Sequence, residues 1–127
     1  MYKYKILKNP EYQDDYIYQG RNENNQIIIF EIFRVLDGYF NVKFYITTKR
    51  KKGYQFMKQT GTDGIKSLLW AKTCLIKFIE EFSERYHGYM IRVYADDIKR
   101  LNVYERGLKD IGFKMSYSKN KYLYYKI

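Results

Sequence analysis

"VYADDIKRLNVYERGLKDIGF", residues Val93 to Phe113, is the stretch whose reading decides the fold. An apolar run stops at two aspartates, a basic helical segment follows, and the piece closes on Ile-Gly-Phe. A carboxylate just ahead of a helix can accept from its free first-turn N–H groups, so Asp96 or Asp97 caps a helix from about Ile98 to Ile111. Gly112 stands where a helix C-terminal glycine belongs. With "YMIRVYA" as the strand before this helix and "FKMSYS" as the strand after it, the chain contains a strand–helix–strand unit. Such a crossover places parallel neighbours in a sheet.

Upstream, Ile65, Leu68, Leu69, Leu75, Ile76, Ile79, Phe82 and Tyr86 recur at helical spacing, with Lys66, Lys77, Glu80, Glu81 and Glu84 largely off the stripe. This predicts a long helix from about Gly64 to Tyr86, capped by Thr62 or Asp63 and ended by Gly88. Ahead of it, "QIIIFEIFRVL" and "YFNVKFYITT" flank Asp37-Gly38, a strong short hairpin signal. Tyr2 to Leu7 reads as a short strand ended at Asn9-Pro10, and "YQFMKQT" as a further short one. Glu11 to Asn25 shows little periodicity and reads as loop, with room for a helical turn around "EYQDDY". Downstream, "FKMSYS" and "KYLYYKI" meet at Lys119-Asn120. The expected architecture is α+β: a mixed, mainly antiparallel sheet with two main helices, in the order β-β-β-(β)-α-β-α-β-β.

At 127 residues, with one proline, eight glycines and 46% hydrophobic content, the chain fits one folded domain, residues 1–127. No window approaches the roughly 18 apolar residues of a membrane span, and Tyr2, Lys3 and Lys5 follow Met1 in place of a signal-peptide apolar region. A cytoplasmic protein without membrane contact is expected. Cys74 is the single cysteine, which excludes an internal disulfide and a cysteine-based zinc site, and His87 is the single histidine. Cys74 falls inside the helical pattern, where a small buried hydrophobe is the ordinary role. The net charge of +10 points to a polyanionic partner: a phosphorylated cofactor, nucleic acid or an acidic protein face.

Gln59-Thr60-Gly61-Thr62-Asp63-Gly64 opens the long helix. Glycines let a backbone approach a ligand closely, and free N–H groups with the helix dipole favour an anion there. A plain turn and helix cap explains the same residues. The segment lacks the Gly-Lys-Ser/Thr of a Walker loop and a complete dinucleotide fingerprint.

Taken together, these features resemble the GNAT superfamily of N-acetyltransferases. The family's acetyl-CoA pyrophosphate loop, Q/R-x-x-G-x-G/A, is matched at Gln59 and Gly64, with Thr62 in place of the family's first glycine and Gly61 one residue earlier. The helix leads into the strand "MIRVYA", as in the family's cofactor-binding core. "DDIKRLNVYERGLKDIGF" parallels a capped helix that carries a tyrosine and ends at Gly-Phe, with Asp97 where the family usually has Asn. Tyr104 lies seven residues after Asp97, the family's offset, and eight before Gly112, where the family has four, so one extra turn, "RGLK", follows the tyrosine.

The resemblance implies an N-acetyltransferase that binds acetyl-CoA through Gln59, Gly61, Thr62, Asp63, Gly64, Ile65 and Asp97. It implies Tyr104 as the general acid for the departing thiolate, and an amine as acceptor. Lys49 to Lys52 could meet the CoA 3′-phosphate, or form a solvated turn. No general base stands out, although Glu31 and Asp63 are carboxylates within the region. The segment Lys8 to Gln26 is short for the two helices with which the family walls its acceptor site. A second reading is a non-catalytic GNAT-fold binding protein of a mobile element, such as a phage or plasmid. It would contact nucleic acid or a host protein through basic, tyrosine-rich stretches such as "RYHGYMIR" and "YSKNKYLYYK". Alternating strand faces explain those tyrosines equally simply.

Overall fold

The structure is a computed structural model that describes the backbone of residues 4–9, 15–22, 24–47, 54–56 and 61–127, and the side chains of 15–22, 24–45 and 66–127. Its strands are β1 (Tyr4–Asn9), β2 (Asp15–Arg21), β3 (Ile27–Leu36), β4 (Tyr39–Thr47), β5 (Tyr54–Phe56), β6 (Met90–Val93), β7 (Lys114–Ser116) and β8 (Tyr122–Lys126). Its helices are α1 (Gly61–Phe82) and α2 (Ile98–Leu108), the second tightening into a 3-10 turn at Lys109–Ile111. The strands form one sheet in the order β1-β2-β3-β4-β6-β8-β7, with β5 on β4. All pairings are antiparallel except β4 with β6. This is the α+β architecture expected, a mixed and mainly antiparallel sheet with two main helices.

One strand is new. Residues Asp15–Arg21, expected to be loop, form β2 and pair with both β1 and β3. Tyr16, Tyr18 and Gly20 point into the core at a period of two, while Ile17 and Gln19 are half-buried on the other face. The alternation is present in the sequence. Tyrosine serves on either face, though, so the pattern becomes decisive only once neighbours fix which side is dry. The Asn-rich stretch after it is the β2–β3 turn: Gln26 N–H donates to Asn22 Oδ1 at 2.9 Å, and Asn22 Nδ2 donates to Gln26 Oε1 at 2.8 Å. Asn25 takes the left-handed conformation at φ 59°, one that asparagine tolerates. The β3–β4 hairpin turns at Asp37-Gly38 as its sequence predicts, with Gly38 at φ 89°.

α1 covers the sheet with a stripe displaced from the expected one. Trp70, Ala71, Cys74, Leu75 and Phe78 are buried, while Leu69 is 56% exposed. Apolar residues surround this helix on more than half its circumference, so spacing alone allowed two settings. The large rings chose between them, since Phe78 packs edge-on against Phe40 at 5.4 Å and Trp70 lies 6.1 Å from Phe44. Burying a side chain such as Phe78 stabilises by about 1.5–3 kcal/mol, more than Leu69 would contribute against a solvated rim. α1 also starts earlier and ends earlier than Gly64 to Tyr86, so Thr62 and Asp63 fall inside its first turn and are not its N-cap. Tyr86 lies in the turn beyond it, its hydroxyl hydrogen-bonded to that of Tyr16 within the core.

α2 lies beside α1 on the same face. Lys72 Nζ donates to Asp110 Oδ2 at 2.7 Å, and Gly107 sits against Leu68. The turn after Tyr104 ends through Gly112 at φ 105°, with Gly112 N–H bonded to the Lys109 carbonyl and Phe113 N–H to that of Leu108. Those two bonds satisfy carbonyls a helix end otherwise leaves open. Among the described residues no helix is long and apolar enough to cross a membrane.

Candidate functional site

The site begins with a broken ladder. β4 and β6 pair over only three residues, Tyr39 with Met90, Phe40 with Ile91, and Asn41 with Arg92. Past Asn41 the two strands part, and β5 takes up the β4 edge only at Tyr45. Val42 to Phe44 on one side and Val93 to Ala95 on the other therefore border a cavity. β6 cannot follow β4 further, because at Ala95-Asp96 the chain turns away to begin α2.

Phe30 of β3, Leu68, Ala71 and Leu75 of α1, and Tyr104 and Leu108 of α2 complete the walls, with Lys72, Asp96 and Arg100 supplying polar edges. The empty space, counted out to the open mouth, is about 630 Å³. The walls have the mainly apolar character, with a few charged groups, of a small-ligand pocket. Arg100 Nη1 pairs with Asp96 Oδ2 at 3.3 Å, which holds the first turn of α2 at the rim.

Tyr104 is the sequence-predicted residue that reaches this cavity. Burial pushes its phenol above the ordinary 10.0; Arg100 opposes the rise, and Asp96 and Asp97 add to it. The phenol therefore keeps its proton through neutral and mildly alkaline pH, the state a general acid needs. Asp97 does something else. Its Oδ1 accepts from the Arg100 backbone N–H at 2.7 Å, making it the α2 N-cap, and its carboxylate is directed at its own helix. Asp96, the other capping candidate, is the one that lines the cavity.

Gly61, Thr62, Asp63 and Gly64 form the first turn of α1, followed by Ile65. Helix geometry leaves the first N–H groups without intrahelical partners. Seven residues separate Gly61 from the cavity-lining Leu68, about 10 Å along a helix. Gln59 and Lys49 to Lys52 lie outside the described residues, as do the side chains of Thr62, Asp63 and Ile65. Glu31 faces away from the helices, paired across strands with Lys43 and Ile17. Its carboxyl is raised by burial first and by Asp15 second, with Lys43 opposing.

Cys74 is fully buried in the core and its thiol is pushed far up by burial, whereas His87 is exposed beyond the end of α1. They form no nucleophile–base pair. The lining residues Val42, Phe44, Ala71 and Arg100 escaped sequence reasoning, because what unites them is the divergence of two strands far apart in the chain. No protein-family model, curated protein or solved structure matches this chain.

Proposed function

We propose that the cavity takes the thiol-bearing arm of acetyl-CoA, and that the protein is a small N-acetyltransferase acting on an amine acceptor in the cytoplasm. The observation that carries this reading is the parting of β4 from β6. A parted ladder offers unpaired strand edges to an extended ligand whose own amides can complete them, while apolar walls take its methylenes. The first turn of α1 suits the pyrophosphate, since free N–H groups and the positive end of the helix dipole favour an anion.

Tyr104 would then act at the sulfur. The neutral amine nitrogen attacks the thioester carbonyl carbon, the C–S bond breaks as the tetrahedral adduct collapses, and the departing thiolate takes the phenolic proton of Tyr104. The proton shed by the nitrogen passes to water, while the phenolate regains one from solvent. A positioned general acid is worth about 10²–10⁴ in rate.

Calorimetric titration with acetyl-CoA tests binding. The expected result is micromolar affinity that falls at least tenfold in Gly64→Asp, which adds a negative charge where an anion should sit. Absence of heat at millimolar ligand would end the proposal. For turnover, Tyr104→Phe should lower kcat by about 10² while leaving acetyl-CoA affinity unchanged. Because burial raises the Tyr104 pKa, the alkaline loss of kcat that depends on this proton belongs above pH 10.0, not below it.

A further inference from the structure

The face of the sheet turned away from α1 and α2 is built differently from the helix face. Register places Asn41, Arg92, Tyr124 and Lys114 in one row across β4, β6, β8 and β7 on that face. Tyr39, Tyr94 and Tyr122 flank the row at two-residue spacing. Their rings are joined in a chain of contacts. The Arg92 guanidinium lies 4.4 Å from the Tyr39 ring centre and 5.8 Å from that of Tyr94. Tyr94 is 5.2 Å from Tyr122, which is 6.3 Å from Tyr124. Tyr39 is 36% exposed and Tyr94 43%, and no described element covers them.

The charge on this part of the face has one sign. Lys114 of β7 and Lys126 of β8 join Arg92 of β6, whereas the acidic strand residues Asp15 and Glu31 stand on β2 and β3, where Lys43 of β4 pairs across to Glu31. The whole chain carries a net +10. Aromatic ring faces interleaved with cations on an open sheet face match one polymer in particular. Its phosphates pair with the cations, and its bases stack on the rings whatever their sequence. A duplex hides its base faces; a single strand presents them. Four strands span about 14 Å, the width over which a sheet platform stacks two or three bases.

We propose that this face binds single-stranded nucleic acid, with Tyr94 and Tyr122 as stacking rings and Arg92 and Lys114 as phosphate contacts. The surface meets the β4–β6 cavity at Tyr94, which borders both, but the proposal does not depend on acetyl transfer. Fluorescence anisotropy of the full chain with labelled twelve-nucleotide oligo-dT and oligo-U, from 50 to 300 mM salt, tests it, and the two arms distinguish DNA from RNA. The expected result is micromolar binding at the low end that weakens steeply with salt, with unlabelled single strand competing better than duplex. Tyr94→Ala and Tyr122→Ala should each weaken binding roughly tenfold without altering the salt slope. Arg92→Gln should reduce that slope by about one. Lys77→Ala, on the exposed side of α1, should bind as the parent does, and circular dichroism should be the same for every variant. Binding to neither oligonucleotide at 50 mM salt would overturn the proposal. So would tyrosine variants that bind like the parent, duplex competing as well as single strand, or polyglutamate displacing the oligonucleotide equally well.

Discussion

The two faces of the sheet use the same residue type for different purposes. On the helix face, Tyr16 is fully buried among Phe78, Phe82 and Tyr86, and its hydroxyl is satisfied by that of Tyr86. On the open face, Tyr39 and Tyr94 keep their rings in contact with Arg92 and with solvent. The strand β8 shows the division within five residues: Leu123 and Tyr125 turn to the core, Tyr122 and Tyr124 to the open side. A tyrosine-rich chain is therefore not simply a greasy one. Inside, rings are closely packed and a hydroxyl deprived of its partner is costly; outside, a ring can be removed with little effect on folding.

Substitutions separate the faces by magnitude. Phe78→Ala, at the centre of the helix face, should cost about 3–5 kcal/mol in denaturant unfolding, because a large ring is deleted where neighbours cannot collapse to fill the space. Gly112→Ala should cost roughly 1–3 kcal/mol, since φ of 105° disfavours any side chain and the new Cβ would stand 3.0 Å from Tyr125 Cε2. A smaller loss, about 1 kcal/mol, is expected for Asp97→Ala, which removes the α2 N-cap but touches no core ring. Smallest of all, Tyr94→Ala on the open face should change stability by no more than about 0.5 kcal/mol. If Tyr94→Ala proved as damaging as Phe78→Ala, the distinction between a packed face and a free one would be lost.

The pH dependence sharpens the same contrast at the cavity. Tyr104 has a folded-state pKa raised above its ordinary 10.0, so its contribution to stability is fully present below that value and is lost as pH rises through the folded pKa. Alkaline unfolding should therefore be milder in Tyr104→Phe than in the parent, a difference visible only above pH 10.

What local sequence could decide was wherever a short-range rule acts alone. Asp37-Gly38 fixes its hairpin because the turn needs a positive φ at glycine. Asp97 and Gly112 bracket α2 because capping chemistry is confined to one helical turn. The strand–helix–strand order around Val93 to Phe113 set no parallel neighbours by itself, since β8 lies between β6 and β7; among the described strands the parallel pair is β4 with β6, joined through α1. Local rules failed wherever a residue's role depends on a partner distant in the chain. Asp15–Arg21 became a strand because β1 and β3 offered ladders on both edges. Leu69 yielded its place in the core because Phe40 and Phe44 were shaped to receive Phe78 and Trp70. The cavity, above all, belongs to tertiary structure. It exists because β4 and β6 separate after three pairs: the aspartates mark where β6 ends, but that β4 runs on beside the gap follows only from which strands lie next to each other.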